Sequence, residues 1–330
     1  MLRTQKLQAK AVGTPASASV ILSKAMCPAT EQQKAEMAQH PYSEYRSIVG
    51  SLLYLALCTR PDIAFAVNQL SRVVAQSLGI SYSRVMRPVD DDVISIGDHQ
   101  DVAHVRRRIG KSFGNTLVAF ADADYARCPD DRRSITGYIV YMNGGPIAWK
   151  SRAQKSVALS TAEAELMATC DVCKEVTHLR GLLSELGRNF SGEPTTIWND
   201  NQACNAMIVN ANCRHETSKH ISVRHFYVRD MQQEGGVDVR YCPTYWMPAD
   251  LMTKPLDMPT FQRLRGWVMG GQWHDLNGIL DLLGANQIVS VSKKRVRIAD
   301  GEPKVTTVLS SADPRSHTHF TKKARQHHTT

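Results

Sequence analysis

The sequence predicts an α/β fold in which a mixed five-stranded sheet is flanked by helices and preceded by an α-helical hairpin. Two observations carry this prediction. Apolar runs of strand length are separated by helical patterns, and strands that alternate with helices build a sheet covered by helices. The dipeptide Asn143-Gly144 joins two of the runs and is typical of a β-hairpin turn. The five predicted strands lie at 115–125, 134–142, 145–151, 195–200 and 237–243.

The chain ahead of the sheet divides into two parts. Residues 1–40 are predicted to be a loosely ordered linker, because they include the small-residue stretch AVGTPASASV. Apolar residues spaced along 42–58 then predict a first helix. A second helix is expected to follow, with Thr59 as its cap, Pro61 in its first turn and Asp62 opposing the helix dipole. The pattern predicts an α-helical hairpin.

The helices that cover the sheet end at glycines or begin at a proline. Gly187 closes the longest pattern, and Gly235-Gly236 follows another, as expected of helix C-termini. Pro248 is placed to begin the last helix. The predicted helices run over 159–187, from Gln202, over 222–233 and over 248–254.

Composition and charge restrict the function classes. The formal net charge of +9 favours polyanionic partners, because basic side chains neutralise phosphates and release counterions. Eight scattered cysteines and the lack of a signal-peptide pattern predict a reducing, intracellular compartment. The longest apolar run, 49–58, is shorter than the ~20 residues that span a bilayer, so no membrane segment is expected. From residue 285 onward, nine basic residues stand against three acids, which predicts a disordered basic tail.

Four acids are candidates for chemistry. Asp122 lies near the end of one predicted core strand, and Asp200 ends another. If these strands are parallel neighbours, both carboxylates emerge at the same edge of the sheet. On the long helix, apolar residues follow Glu165 at steps of seven, eleven, fourteen and eighteen, so Glu165 faces the sheet whereas Glu163 points away. Asp250 behind Pro248 could join them.

Carboxylates that converge repel one another unless cations lie between them. Mg²⁺, which takes carboxylate and phosphate oxygens, fits that role, so the acids are predicted metal ligands. Taken singly, each acid has another interpretation. Asp250 could serve only as a first-turn acid of its helix, and Asp200 only as the cap of the helix that follows. The ordered set is what discriminates.

Several stretches together carry a family resemblance. The motifs ADADYA, PDDRRSITGYIVYMNGGPIAWKSRAQKSVALSTAEAEL, DNQA, TSKHISVRHFYVRD and PADLMTKPL closely resemble the RNase H region of copia-type LTR retrotransposon Pol polyproteins. Upstream, GTPAS, LSKAMCP and YRSIVGSLLYLALCTRPDIAFAVNQLSR resemble the segment that joins reverse transcriptase to RNase H in the same polyproteins. The resemblance covers residues 20 to 260 or thereabouts.

This resemblance implies an RNase H-like fold over residues 113–256, a helical remnant of the reverse transcriptase connection over 41–112, and short helices with the basic tail over 257–330. It implies that the fold's four catalytic, metal-binding acids are Asp122, Glu165, Asp200 and Asp250. Asp124 matches the family motif as a supporting acid behind the ligands. The implied cofactors are two Mg²⁺ ions, with Mn²⁺ as a substitute.

The implied reaction is hydrolysis of the RNA strand of an RNA·DNA hybrid. The implied partners are the hybrid and the reverse transcriptase portion of the same polyprotein, with no membrane, in a cytoplasmic particle or the nucleus. Recognition of the RNA strand requires contacts to 2′-hydroxyls, and basic side chains would contact phosphates. The candidates for these nucleic-acid contacts are Arg132, Arg133, Lys150, Arg152, Lys155, Lys219 and His220.

Two departures from the family pattern leave alternatives open. Arg127 stands where the family has glycine, and the connection after Arg72 is short. A catalytically inactive relic that still binds nucleic acid is therefore the main alternative. A second is another nuclease of this fold, such as an integrase or resolvase, although the sequence has no zinc-binding domain of the integrase kind. Cys170 and Cys173 are interpreted as buried thiols rather than metal ligands.

Overall fold

The computed structural model describes residues 13–16, 21–23, 30–38, 42–76, 117–187, 193–209 and 219–269. All of them belong to one structural unit, 1–287. The basic tail predicted from residue 285 onward, and the part of the connection between 77 and 116, lie outside the described residues. Among the described residues, no helix is both long enough and apolar enough to cross a bilayer.

The centre of the fold is one mixed sheet of five strands in the order β3-β2-β1-β4-β5. β1, β2 and β3 pair antiparallel, whereas β4 lies parallel to β1 and β5 parallel to β4. The prediction of an α/β fold with a mixed five-stranded sheet is confirmed. The strands are β1 Leu117–Asp124, β2 Ile135–Met142, β3 Gly145–Ala153, β4 Thr195–Asn199 and β5 Val237–Tyr241.

Helices cover both faces of the sheet. The helices are α1 Glu31–Ala38, α2 Tyr42–Cys58, α3 Ala64–Gln76, α4 Thr161–Glu185, α5 Gln202–Val209, α6 Lys219–Gln233 and α7 Met258–Val268. Three 3₁₀ helices add Pro61–Ile63, Thr244–Trp246 and Pro248–Met252. Alternate residues of β1 enter two cores, with Ala119 and Ala121 in the core formed with α4–α6 and Val118 and Phe120 in the core formed with α7.

The hairpin turn and the glycine that ends the longest helix act as predicted. Asn143 and Gly144 have φ of 48° and 97°, the left-handed pair that a type I′ turn requires between β2 and β3. Gly187 follows α4 at φ +76°, as a helix-ending glycine does. Helix α1 lies inside the stretch predicted to be a loosely ordered linker. Thr30 precedes it: the Thr30 hydroxyl accepts from the Gln33 N–H, and the Thr30 N–H donates to the Gln33 side chain.

The segment after Pro248 differs from its prediction. A helix was expected over 248–254, and the structure has a 3₁₀ helix that ends at Met252. Pro255 explains the early end, because a residue before proline is disfavoured in the α conformation. The short segment packs over β2 and fixes the position of Asp250.

The hairpin of α2 and α3 attaches to the edge strand β3. Trp149 Nε1 on β3 donates to the carbonyl of Ala56 over 2.7 Å, and the Asn68 amide donates to the carbonyl of Ser151. These contacts cover a strand edge that would otherwise be open to pairing. The hairpin predicted from the sequence is therefore present and integrated with the sheet.

The cap predicted for the second helix is wrong. Arg60, not Thr59, is the residue before the 3₁₀ turn that opens it, and its side chain makes no capping hydrogen bond. Asp62 accepts two hydrogen bonds from Arg60, at 2.7 and 2.8 Å, and one from Arg265 of α7, at 3.1 Å. The Asp62 carboxylate is fully buried, so it serves as an anchor between hairpin and α7 rather than as a dipole partner.

Gly137 permits the closest approach between the sheet and the segment that carries Asp250. Gly137 lies opposite Asp122 in the β1–β2 register. A Cβ at this position would lie 2.5 Å from Thr253 Cγ2 and 2.6 Å from Met252 Cβ. The missing side chain therefore determines how near Asp250 and Asp122 can come.

We expect Gly137→Ala to destabilise the protein by roughly 1–3 kcal/mol, because the added methyl group overpacks this contact. Gly181→Ala in α4 is the control, since no heavy atom lies within 4 Å of a Cβ there. That change should be neutral or stabilise by up to about 1 kcal/mol. Urea unfolding measures both, and equal stability of Gly137→Ala and wild type would contradict the packing argument.

Candidate metal centre

Asp122 and Asp200 meet because their strands are parallel neighbours. β1 pairs with β4 in a register that places Ala121 beside Asn199. Asp122 follows Ala121 on β1, and Asp200 follows Asn199 at the end of β4. Both side chains therefore emerge at the same edge of the sheet, as the sequence predicted, and the Asp122 side chain is buried.

Asp250 completes a group of three. It lies in the 3₁₀ helix after Pro248 and is buried. Asp122, Asp200 and Asp250 each offer a carboxylate oxygen, and these oxygens all lie within 4.8 Å of one another. Three acids that lie far apart in the sequence thus converge at one point.

Glu165 reaches the same cleft from α4. It is buried, which agrees with the prediction that Glu165 faces the sheet. Its Oε1 accepts a hydrogen bond from the backbone N–H of Ala123 over 3.2 Å, and its Oε2 accepts one from the Asn199 amide over 2.9 Å. Glu165 lines the cleft together with Asp122 and Asp200, although it is outside the group of three.

Glu163 has a different role. Its backbone N–H donates to the Ser160 hydroxyl over 3.2 Å, and its carboxylate accepts from the Leu159 N–H over 2.7 Å. This is a variant of the capping box at the start of α4, in which Ser160 caps the helix and Glu163 bonds to the residue before the cap. Glu163 is buried, but it belongs neither to the lining of the cleft nor to the group of three aspartates.

The cleft has a volume of about 510 Å³. The acids at this site are close enough to raise one another's pKa values. Burial, and then the charges of Asp122 and Asp200, raise the pKa of Glu165 well above its usual range. Burial and the charge of Asp122 raise the pKa of Asp250 to about 8. Burial and Asp122 also raise the pKa of Asp200.

Lys254 supplies the opposing charge. Its Nζ lies 2.9 Å from Asp250 Oδ1 and 3.7 Å from Asp122 Oδ2. Burial opposes a charge on this lysine, but Asp122 and Asp250 outweigh burial and raise the pKa of Lys254. Lys254 is not among the predicted site residues, although its spacing of four residues from Asp250 is a known signal for an ion pair on one helical turn.

Hydroxyl groups hold two of the aspartates. The Thr253 hydroxyl donates to Asp122 Oδ2, and the Thr244 hydroxyl donates to Asp200 Oδ2 over 2.7 Å. Asn201, not Asp200, caps α5, because Asn201 Oδ1 accepts from the N–H of Cys204 over 2.9 Å. The interpretation of Asp200 as a helix cap is therefore wrong.

Asp124 and Arg127 form a pair at the rim. Arg127 Nε lies 3.6 Å from Asp124 Oδ2, and Asp124 also lines the cleft. Burial raises the pKa of Asp124, and the charge of Arg127 opposes that shift. The arginine that replaces the family's glycine is thus held by the second acid of the ADAD motif.

The predicted basic contacts lie away from the acids. In the part of the chain that the structure describes, none of the predicted basic side chains lines the cleft. Lys150 is half-buried, with its Nζ 5.6 Å from the centre of the Tyr138 ring. The other predicted basic side chains within 117–187 are exposed. Lys219 and His220 begin α6, but their side chains lie outside the described part. The exposed group is Arg132, Arg133, Arg152 and Lys155.

The donor set fits a hard divalent cation. Mg²⁺ and Mn²⁺ prefer carboxylate oxygens, and the three aspartates provide such oxygens at mutual distances that one ion or a pair of ions could bridge. The thiols do not compete for this role, because Cys170 and Cys173 are buried in the core beside α4, as predicted.

We expect the free energy of unfolding of the metal-free protein to fall as Asp250 ionises. A carboxyl whose pKa is raised by folding contributes stability below its unfolded pKa, near 3.8, and that stability is lost as the pH rises toward about 8. Lys254 stays charged throughout this window and offsets part of the cost of ionising Asp250, but burial and the charge of Asp122 outweigh it, so the net effect is a loss of stability. Asp250→Asn should therefore melt above wild type near pH 8, by about 2–4 °C for each kcal/mol of repulsion removed.

Thermal melts in chelator between about pH 4 and pH 8 measure this difference. Asp171→Asn, the same change on the outer side of α4 where Asp171 pairs with Lys174, is the control and should follow wild type. Parallel pH curves for Asp250→Asn and wild type would contradict the electrostatic account.

Comparison with known proteins identifies the family. No protein-family model matches the chain. The chain is 35% identical over 260 residues to the retrovirus-related Pol polyprotein from transposon TNT 1-94 of Nicotiana tabacum, covering 77% of this chain and 18% of that protein. It is 35% identical over 264 residues to the corresponding polyprotein from transposon RE2 of Arabidopsis thaliana, covering 79% of this chain and 17% of that protein. The chain thus spans less than a fifth of each of these two polyproteins.

Among solved structures, LC11-RNase H1, isolated from compost by a metagenomic approach, matches with 10% identity and a TM-score of 0.33. The match covers 42% of this chain and 93% of that one. The strand order described above is that of the RNase H-like fold that the resemblance implied. Given the identity to plant retrotransposon polyproteins over more than three quarters of its length, the chain belongs to the family of copia-type LTR retrotransposon Pol polyproteins.

Proposed function

We propose that this chain is the RNase H part of a Pol polyprotein and hydrolyses the RNA strand of RNA·DNA hybrids with the help of two divalent cations. The observation that carries this proposal is the convergence of Asp122, Asp200 and Asp250 within 4.8 Å, with Glu165 on the wall of the same cleft. Family membership adds support, since these acids match the motifs of an RNase H region.

The three aspartates would hold the cations, with Glu165 beside them. When bound, two Mg²⁺ or Mn²⁺ ions supply an activated water and stabilise the negative charge that develops on the phosphate and on the leaving 3′ oxygen. Asp122 interacts with all three of the other acids, because its charge raises the pKa of Glu165, of Asp200 and of Asp250.

The protein's own groups fix the acids before any ligand arrives. The Asn199 amide and the Ala123 N–H hold the two oxygens of Glu165, and the hydroxyls of Thr253 and Thr244 hold Asp122 and Asp200. Groups held in this way lose little freedom when the reaction begins, which is the condition for strong electrostatic stabilisation.

The substrate would bind across the cleft along the basic surface. Arg152 and Lys155 are exposed on β3 and on the loop that leads to α4, whose N-terminal residue Thr161 lines the cleft. Such side chains position a phosphate backbone, and selection of the RNA strand then depends on its 2′-hydroxyls. The remaining portion of the polyprotein, with its reverse transcriptase, is the proposed partner.

The alternative of an inactive relic rests on Arg127 and on the short connection, most of which lies outside the described residues. The Arg127 side chain pairs with Asp124 at the rim, so the aspartates that would bind metal keep their own contacts. This pairing favours an active enzyme over the relic. A cleavage assay decides between them, because a relic would bind the hybrid and leave it intact.

We expect Asp122→Asn to reduce Mg²⁺-dependent cleavage of an RNA·DNA hybrid by at least about 10²-fold, because it removes one of the three carboxylates that would hold the cations. Asp230→Asn, on the exposed side of α6, is the control and should cleave like wild type. Product analysis on a denaturing gel with either strand labelled measures the rate and identifies the strand. Hybrid binding by the wild type without any cleavage would support the relic instead.

We expect hybrid affinity to fall steeply with salt, because each phosphate that is neutralised releases counterions. Replacing Arg152 and Lys155 with Gln should lower the slope of log K against log salt by about 1 for each phosphate that is no longer neutralised. Fluorescence anisotropy in Ca²⁺, over a series of salt concentrations, measures the slope. An unchanged slope in the double variant would show that these two side chains do not bind the phosphate backbone.

A further inference from the structure

Lys254 occupies the cleft in a way that the proposed reaction does not explain. Among the described residues that line the cleft, Lys254 is the cationic one. Its ammonium lies 2.9 Å from Asp250 Oδ1 and 3.7 Å from Asp122 Oδ2, which is the space between two of the three acids. The lysine belongs to the motif PADLMTKPL, in which Asp250 is a proposed metal ligand and Thr253 holds Asp122.

An ammonium and a divalent cation compete for the same oxygens. A metal that binds Asp250 and Asp122 needs carboxylate oxygens that are free of strong donors, and Asp250 Oδ1 is engaged by Lys254. Two such cations this close together would also repel each other strongly. Binding of a divalent ion between these acids therefore requires the ammonium to leave.

The fold allows the ammonium to leave without moving the backbone. The Lys254 side chain is 30% exposed, whereas those of Asp122 and Asp250 are 2% and 5% exposed. The backbone at Lys254 is fixed by the hydrogen bond from its N–H to the carbonyl of Asp250 and by Pro255 after it. Rotation of a long side chain at the rim of an open cleft is enough.

We propose that Lys254 is a resident counter-cation: it neutralises Asp122 and Asp250 when no divalent cation is bound, and a divalent cation must displace it from them. This inference rests on the proposed metal centre. It has two consequences. The ion pair stabilises the metal-free protein, and the same ion pair weakens the binding of the metal.

The test uses the full chain and Ca²⁺, a divalent probe whose binding can be followed by calorimetry without cleavage. Lys254→Met should bind Ca²⁺ about tenfold more tightly than wild type, since a charge-assisted hydrogen bond no longer has to be broken. In chelator, the same variant should melt at a lower temperature than wild type. Lys174→Met removes one positive charge from the outer side of α4 and should match wild type in both measurements.

A double variant keeps the test decisive if Lys254→Met folds poorly. In the Asp250→Asn background the ion pair is already weakened, so adding Lys254→Met should lower the melting temperature in chelator by less than it does in wild type. Equal decreases in the two backgrounds would overturn the counter-cation role.

The calorimetric outcomes separate this inference from the proposed function. Equal or weaker Ca²⁺ binding by Lys254→Met, with measurable binding by wild type, would overturn the competition and leave the metal centre standing. Absence of Ca²⁺ binding by both proteins would overturn the competition and the metal centre together.

Discussion

The mutual repulsion of buried carboxylates is the constraint on which this structure depends. Asp122, Asp200 and Asp250 bring their oxygens within 4.8 Å of one another in a partly desolvated cleft, an arrangement that costs free energy unless positive charge or hydrogen bonds offset it. Hydroxyl donors and one lysine provide that offset within the chain. The same repulsion would favour the binding of a divalent cation between the acids.

The rest of the fold can be understood as the support of that cleft. A parallel β1–β4 pair places two acids at one edge, and Gly137 on β2 lets the 3₁₀ segment approach closely enough to add the third. Helix α7 packs Phe261 and Trp267 under that segment and so holds it against the sheet. Function and packing are therefore coupled through residues that touch no substrate.

Much of this arrangement could be predicted from local pattern. The helical period placed Glu165 on the sheet-facing side of α4, and strand ends at Asp122 and Asp200 required only that the two strands be parallel neighbours. The contacts that hold the acids could not be found in the same way. Asn199 and Thr253 bond to acids 34 and 131 residues away, and no period in the sequence encodes such a pairing.

The residues whose predicted roles were wrong have a common physical cause. Asp62 was predicted to interact with the dipole of its own helix. Its carboxylate is instead buried between Arg60, two residues before it, and Arg265 of α7. A short polar side chain near a helix start has several possible partners of similar strength, so local sequence cannot choose among them.

The ion pair between Asp62 and Arg265 also indicates where the RNase H-like domain begins. The resemblance placed a boundary near residue 113, between a connection remnant and the RNase H-like domain. Asp62 of the hairpin is nevertheless bonded to Arg265 of α7, and Trp149 of β3 donates to the carbonyl of Ala56. Cutting the chain at the boundary would leave the Arg265 charge and the Trp149 N–H without these partners and would expose the edge of β3. The hairpin is therefore best regarded as a structural part of the RNase H-like domain, held by a buried charge that either half alone would have to hydrate.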